Sequence, residues 1–209
     1  MNVIEDKNVS HSSPKTRRRF DRDKALQIAL ELFWRHGFEA TSMADLLKAM
    51  GLSAPSLYAT FGNKEELFHE AVELYASTYG VALTQALYKS IAAKQAIEEM
   101  LMDAAHFFTN PDNPAGCFFV SGATNCSQNY AYIGELLAAR RAEREEGIFL
   151  RLTRAVEEGE LPGSAEPRHM AKFFHTVLQG LTTQARDGAS VDELRATVTI
   201  AMRVWPVQV

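Results

Sequence analysis

The sequence predicts an all-α protein, in which a short helix-turn-helix domain precedes a larger helical region. Three observations support this fold class. Apolar residues recur at helical spacing along most of the chain, and no strand-like alternation persists. Glycine and proline clusters divide that pattern into separate helices. Within residues 41–64, a tight turn containing glycine joins two short helical patterns, which is typical of a helix-turn-helix.

The first predicted helix begins near Asp21 and ends at Gly37. Its apolar residues share one face, which predicts that this face is buried. The residues of that face are Ala25, Ile28, Ala29, Leu32, Phe33 and His36. We expect His36 to act as a packing or capping residue rather than as a ligand.

The two short helices follow. Ser42 and Asp45 have the spacing of a capping box, and Gly51 ends the helix that they begin. A cap at residue 53 or 54 begins the second short helix, which has a proline in its first turn and runs to about residue 61.

The exposed positions of the second short helix carry small or hydroxyl side chains, which are Ser53, Ala54, Ser56, Ala59 and Thr60. Leu57 and Phe61, four residues apart, would anchor this helix to the core. Small side chains let a helix lie deep in the major groove of DNA, where hydroxyl groups meet phosphates or base edges. The alternative is a helical corner inside an ordinary bundle, and the spacing alone leaves both open.

Helical patterns continue to the end of the chain. We expect helices over 63–80, 92–108, 129–158, 167–187 and 190–205. A cluster of Pro, Asn and Gly over residues 109–116 predicts a loop, and the segment 117–125 is too short to assign. The charged run 140–146 is most simply a solvated face of its helix.

Charge is unevenly distributed along the chain. The net charge is −4, yet residues 1–64 contain ten Lys and Arg against seven Asp and Glu. The compact run Lys15–Arg19 lies directly before the first helix. This run is either a solvated tail or an arm that binds DNA phosphates or enters the minor groove. Because it adjoins a helix-turn-helix, we favour the DNA-binding arm. The sequence does not show which of Arg17, Arg18 and Arg19 contacts DNA.

Other function classes receive no support from the sequence. No apolar run has the length of a membrane span, and the polar N-terminus has no signal-peptide core. Cys117 and Cys126 match neither a disulfide framework nor a zinc pattern. No nucleophile elbow, phosphate loop, zinc-protease or dinucleotide motif occurs. We therefore expect a cytoplasmic protein that is not an enzyme and needs no metal or cofactor.

Three stretches carry a resemblance to a known family: Thr41–Leu46 (TSMADL), Gly51–Phe61 (GLSAPSLYATF) and Gly62–Leu67 (GNKEEL). Together they resemble the DNA-binding domain of the tetracycline-repressor (TetR) family over roughly residues 20–70. The resemblance implies a flexible basic arm over 1–19, a DNA-binding domain over 20–63, and a helical effector-binding and dimerisation domain over 64–209. It also implies that double-stranded operator DNA is the partner.

The same resemblance assigns roles to residues in these stretches. Tyr58, Lys64 and either Thr41 or Ser42 are expected to meet backbone phosphates. Residues of the second short helix are expected to face base edges. The DNA-binding residues that we predict are Arg17, Arg18, Arg19, Thr41, Ser42, Ser53, Ala54, Pro55, Ser56, Leu57, Tyr58, Thr60 and Lys64.

The C-terminal half is rich in aromatic residues with polar residues nearby, which is typical of a ligand pocket, although most such residues belong to a core. The predicted pocket contains Phe107, Phe108, Cys117, Phe118, Ser121, Asn125, Tyr130, Phe174, His175 and Gln179. Cys117 follows Gly116, as in one branch of the family, so it is either a small buried residue or a thiol that senses electrophiles or oxidants.

The last two predicted helices are expected to form a two-fold interface, because one recognition helix reads only a half-site. The expected interface residues are Leu178, Gly180, Leu181, Ala185, Val198, Ala201, Met202 and Trp205. The leading hypothesis is a homodimeric repressor that an unidentified small molecule releases from DNA. The alternatives are a regulator that responds through Cys117 and a helical adaptor that responds to a protein partner.

Overall fold

A computed structural model describes residues 21–124 and 126–206, and every regular element within them is a helix. The all-α prediction is therefore confirmed. The N-terminal helices are α1 (Arg22–His36), α2 (Met43–Met50) and α3 (Ala54–Phe61). The later helices are α4 (Lys64–Tyr75), α5 (Val81–Thr84), α6 (Ala93–Phe108), α7 (Phe118–Ser121), α8 (Ala131–Glu157), α9 (Pro167–Arg186) and α10 (Val191–Ala201). A π-helical turn, Ala76–Gly80, joins α4 to α5, and 3-10 turns occupy Gln85–Tyr88, Gln128–Tyr130 and Met202–Val204. None of the helices in these described ranges has both the length and the hydropathy of a membrane span.

Side-chain caps fix where the short helices begin. Ser42 and Asp45 form the predicted capping box, in which each side chain accepts a hydrogen bond from the other residue's backbone N–H. The hydroxyl of Ser53 accepts from the backbone N–H of Ser56, so the cap of α3 is Ser53. Gly51 ends α2 with a φ of +67°, a conformation that side-chain-bearing residues rarely adopt. Local sequence thus sets the tight turn between α2 and α3.

The N-terminal helices share an aromatic core with α4. The ring centroid of Phe68 lies 5.0 Å from that of Phe33 and 5.1 Å from that of Phe38, in edge-to-face arrangements. Leu46 of α2 and Leu57 of α3 are fully buried. Because α4 supplies Phe68, the helix that continues into the C-terminal half also holds the helix-turn-helix in place.

A second aromatic cluster connects the two halves of the protein. The ring of Trp34 on α1 lies 4.9 Å from that of Tyr75 and 5.8 Å from that of Phe107. Tyr75 also contacts Phe118, at 5.5 Å between centroids. Helices α1, α4, α6 and α7 therefore meet at one packed centre.

The expected helix end at Gly80 is wrong. Gly80 is helical, with a φ of −63°, and helical turns continue to Tyr88. A Cβ at this position would lie 3.4 Å from the carbonyl oxygen of Tyr75 and 3.9 Å from the ring of Phe119. Both are ordinary van der Waals distances, so the packing does not require a glycine at this position. The unassigned segment 117–125 contains the four-residue helix α7.

Most residues predicted for the two-fold interface are already buried within one chain. These are Leu178, Leu181, Ala185, Val198, Ala201 and Met202. They pack toward α6 and α8, whereas Gly180 is exposed and Trp205 is half-buried. On α9, on α10 and in the 3-10 turn Met202–Val204, the large apolar side chains that remain exposed are Phe173, Ile200 and Val204. The sequence alone did not show which apolar residues of α9 and α10 the other helices cover.

Candidate functional site

The outer face of α3 presents small polar groups and one aromatic ring. The hydroxyl groups of Ser53 and Ser56 lie 2.8 Å apart, and Thr60 donates a hydrogen bond of 2.7 Å to the carbonyl of Ser56. Tyr58 is 55% exposed. Pro55 is exposed and Ala54 is half-buried. This face has the size and chemistry that a major groove accommodates.

Two of the predicted DNA-binding residues are buried. Leu57 is fully buried and anchors α3 to the core. Thr41 is 1% exposed, and its hydroxyl donates a 2.7 Å hydrogen bond to the carbonyl of Gly37. Neither side chain reaches the surface, so neither Leu57 nor Thr41 offers DNA a side-chain contact. Of the pair Thr41 or Ser42, only Ser42 is exposed.

Lys64 begins α4 beside the helix-turn-helix. Its ammonium nitrogen lies 4.4 Å from the ring centroid of Phe38, a cation–π contact. Burial of the side chain lowers the pKa of Lys64, while the neighbouring Glu65 and Glu39 act in the opposite direction. The predicted arm residues Arg17, Arg18 and Arg19 lie outside the described residues.

The residues of the predicted effector pocket fall into separate groups of contacts. Phe107 and Phe118 belong to the aromatic centre around Trp34 and Tyr75. Phe108 is fully buried on α6, and the ring of Tyr130 packs against Phe38. Asn125 lies outside the described residues.

A further group from the predicted pocket lies between α8 and α9. His175 is buried, and its Nδ1 lies 3.0 Å from Oε2 of Glu145. The amide nitrogen of Gln179 lies 3.3 Å from the same ring nitrogen. Phe174 is buried beside them, 5.9 Å from Trp205 between ring centroids. These residues form a packed polar contact rather than the wall of a cavity.

Cys117 and Ser121 lie on the inner side of α7. The sulfur of Cys117 accepts a hydrogen bond from the hydroxyl of Tyr75 at 3.4 Å, and Nη1 of Arg144 lies 3.5 Å away. Burial raises the pKa of Tyr75 well above its usual value, and the neighbouring Cys117 adds to this rise. Ser121 donates to the carbonyl of Cys117 at 3.0 Å.

Arg144 is a residue of this region that was not predicted from the sequence. The charged run 140–146, which contains Arg144, was predicted to be a solvated face of its helix. This prediction is wrong for Arg144, because the residue is only 8% exposed. The signal was present in the register of α8: Arg144 lies seven residues after Leu137 and four before Ile148, and both of those are fully buried. Arg144 therefore occupies a core position of the helix.

An exposed recognition face on a helix-turn-helix, joined to a larger helical body, defines the class of DNA-binding regulators. Residues 25–71 match the tetR family of bacterial regulatory proteins, and residues 93–201 match the tetracyclin repressor-like C-terminal domain. The chain belongs to the TetR family and is a helix-turn-helix transcriptional regulator.

Named relatives cover nearly the whole chain. The HTH-type transcriptional repressor ComR of Escherichia coli (strain K12) is 36% identical over 94% of this chain and 93% of its own length. The HTH-type transcriptional repressor BdcR of the same organism is 28% identical over 90% of each chain. Among solved structures, a cysteine mutant of the TetR family regulator CifR, in complex with 26 bp operator DNA, has a TM-score of 0.88. It is 36% identical, and the match covers 90% of this chain and 98% of that one.

Proposed function

We propose that this protein is a homodimeric repressor that binds a specific operator and leaves it when a small effector binds in the C-terminal half. The proposal rests on the outer face of α3. This face presents Ser53, Ser56, Tyr58 and Thr60, and the buried side chain of Leu57 anchors the helix in the core. Two relatives are named repressors, and CifR was solved with operator DNA. Operator DNA also implies action in the cytoplasm.

For the domain organisation, we propose a basic arm over 1–19, a DNA-binding domain over 20–63 and an effector and dimerisation domain over 64–209. Helix α4 is the first helix of the second domain and packs along α1 of the DNA-binding domain. A movement of α4 therefore changes the position of the helix-turn-helix. Tyr58, Ser42 and Lys64 are proposed to contact phosphates, and the α3 face to contact base edges.

For the dimer, we propose an interface formed by the exposed outer faces of α9 and α10. Phe173 is 39% exposed, Ile200 61% and Val204 55%. Gly180 is exposed on α9 two helical turns after Phe173, so it lies on the same face and lets helices approach closely. A dimer would place two recognition helices about 34–36 Å apart, as successive major grooves require.

The experiment that tests the proposal selects binding sites from random double-stranded DNA with the purified protein. We expect a palindromic operator, with binding at least about 1000-fold tighter than to unrelated DNA. Transcription in vitro from a promoter that contains the selected site should then fall when the protein is added. Equal affinity for all sequences would contradict the proposed function, and increased transcription would contradict the assignment as a repressor.

A second candidate is a switch based on Cys117, favoured by the guanidinium of Arg144 at 3.5 Å from its sulfur. This geometry places a positive charge beside the sulfur that would act as the nucleophile. In this mechanism the sulfur attacks an electrophilic carbon, a C–S bond forms, the leaving group departs with the bonding electron pair, and the thiol proton passes to solvent.

Iodoacetamide tests this candidate, with iodide as the leaving group. Cys126 is the internal control, because it is the more exposed of the two thiols. If the switch is correct, mass spectrometry will show that Cys117 is alkylated faster than Cys126 despite its burial, and operator binding will fall together with this alkylation. Faster reaction at Cys126, or unchanged operator binding after alkylation of Cys117, would exclude it.

A further inference from the structure

A small cavity lies between α8 and the helical turns that follow α4. Its volume is about 170 Å³. Apolar groups on its walls come from Val81, Leu87, Tyr88 and Phe119, and the polar groups on the α8 side come from Arg140, Glu143 and Arg144. Of the predicted effector-pocket residues that the structure describes, none lines this cavity. It is therefore a site that was not predicted from the sequence.

Arg144 brings a buried positive charge to this cavity. Its side chain contacts the sulfur of Cys117 at 3.5 Å and lies 5.4 Å from the ring centroid of Phe119. Within residues 21–124 and 126–206, no carboxylate forms a salt bridge with Arg144. A buried guanidinium is unfavourable unless an anion accompanies it.

Two other arginines of α8, Arg140 and Arg151, show the contrast. Arg140 pairs with Glu73 and with Glu143, so the carboxylate on the cavity wall is already engaged. Arg151, the other buried arginine of α8, pairs with Glu160 at 3.0 Å. Arg144 is thus a buried arginine on the cavity wall for which the described residues supply no carboxylate.

The size and lining of the cavity define what would fit. In another protein, an apolar cavity of about 150 Å³ binds benzene, so a volume of this order holds one aromatic ring. The ring of Phe119 and the side chain of Leu87 offer apolar contacts, and the guanidinium offers two parallel donors to a carboxylate.

We propose that this cavity is a binding site for a small monocarboxylic acid of about one-ring size, with its carboxylate on Arg144. The acid is then the effector of the proposed repressor, so this step rests on the proposed function. The site is connected to the DNA-binding half. Arg140 pairs with Glu73 on α4, and the ring of Phe119 lies 4.8 Å from that of Tyr75. An acid that moves Arg144 or Phe119 acts directly on the end of α4.

Benzoate is the probe, and benzyl alcohol is its neutral counterpart of similar shape. Calorimetric titration of the full-length, DNA-free protein should show saturable benzoate binding, and benzyl alcohol should bind at least about tenfold more weakly, because it lacks the charge-assisted pair. The same loss for benzoate is expected in Arg144→Gln. The matched control is Arg154→Gln, since Arg154 is an exposed arginine on the same helix.

A second variant tests the cavity without changing its charge. A Cβ at Gly147 would lie 3.6 Å from the hydroxyl of Tyr88 and 3.8 Å from Leu87, which are ordinary contacts. The position thus has room for a Cβ, and the longer side chain of Gly147→Leu would extend into the cavity, so benzoate binding should be lost although Arg144 remains. Circular dichroism checks that the variant is helical. This variant decides the question if Arg144→Gln does not fold.

Three results would overturn the proposal: no saturable benzoate binding at millimolar concentration, equal affinity for benzoate and benzyl alcohol, or unchanged benzoate affinity in both Arg144→Gln and Gly147→Leu. Because the titration contains no DNA, each of these results leaves operator recognition untouched. Benzoate binding that depends on Arg144 but does not weaken operator binding would support the site and contradict the release step of the proposed function.

Discussion

The backbone N–H of Phe38 donates a hydrogen bond of 2.7 Å to the carbonyl oxygen of Gly122. Phe38 lies in the turn between α1 and α2, whereas Gly122 directly follows α7 in the C-terminal half. The hydroxyl of Ser121 adds a 3.4 Å contact to the carbonyl of Trp34 at the end of α1. Hydrogen bonds to backbone groups thus connect the segment that begins with Cys117 to the helix-turn-helix domain, in addition to the link through α4.

This relationship predicts that Gly122 is sensitive to substitution. A Cβ there would lie 2.6 Å from the ring of Phe118, which is fully buried and cannot move freely. Gly122→Ala should lower the free energy of unfolding by about 1–3 kcal/mol, the usual effect of overpacking. It should also weaken operator binding by shifting the carbonyl that Phe38 contacts. Urea unfolding and gel-shift titration measure the two effects.

The control for this prediction is Gly134→Ala in α8, where an added Cβ meets nothing within 4 Å. Alanine is favoured over glycine in a helix by about 0.5–1 kcal/mol, so this variant should be slightly more stable than wild type. If Gly122→Ala were as stable as Gly134→Ala and bound the operator normally, the link through α7 would play no part in positioning the helix-turn-helix.

The second prediction separates phosphate contacts from base contacts on the DNA-binding face. Tyr58→Ala and Lys64→Ala should weaken binding to all DNA sequences, and Lys64→Ala should also reduce the salt dependence by about one ion. Ser56→Ala and Thr60→Ala should instead reduce the preference for the operator by about 1–3 kcal/mol for each base that is no longer recognised. Fluorescence anisotropy with operator and random duplexes at several salt concentrations distinguishes the two classes.

His69→Ala is a suitable control for the DNA-binding variants, because His69 is exposed on α4 and was not predicted to contact DNA. It should bind both duplexes like wild type. Wild-type affinities for both Tyr58→Ala and Lys64→Ala would show that the recognition face has been placed incorrectly.

The third prediction concerns assembly. Ile200→Glu introduces a charge on the exposed apolar face of α10, and burial of an unpaired charge in an interface is strongly unfavourable. The variant should be monomeric at micromolar concentration by light scattering and should bind the operator much more weakly. Leu150→Glu is the matched control, since Leu150 is 58% exposed but lies on α8. A dimeric Ile200→Glu protein would place the interface elsewhere.

The parts of the fold that local sequence determines were predictable. The capping box at Ser42 and Asp45 and the positive φ at Gly51 depend on neighbouring residues, so the two short helices were located within a residue or two. The family resemblance covered the same stretch. These interactions form between residues close in the chain, and a spacing pattern records them directly.

The contacts between distant helices were not predictable in the same way. Arg144 reads as one charge in a charged run, and its burial depends on how α8 packs against α7 and the turn Gln85–Tyr88. Gly80 has the sequence of a helix end, yet its backbone is helical and helical turns continue to Tyr88. Which apolar residues of α9 are buried likewise depends on which other helices pack against α9.

The final prediction concerns pH and the contact between His175 and Glu145. His175 is 4% exposed, and burial lowers its pKa, although Glu145 at 3.0 Å acts in the opposite direction and the positive charges of Arg144 and Lys172 add to the lowering. The folded protein thus holds this imidazole neutral at a pH where the unfolded chain is already protonated. Below about pH 6.5, the unfolded state binds more protons than the folded state, so stability falls as the pH falls from 6.5 to the lowered pKa.

His175→Asn should remove this part of the pH dependence, whereas His169→Asn, an exposed position on the same helix, should keep it. The measurement is urea unfolding at about pH 7.5 and about pH 5.5, at one protein concentration because a dimer's stability depends on concentration. The loss of stability between the two pH values should be smaller in His175→Asn than in wild type or His169→Asn. If all three proteins lose stability equally, His175 takes up its proton in the folded state as readily as in the unfolded chain, and its burial does not control the pH response.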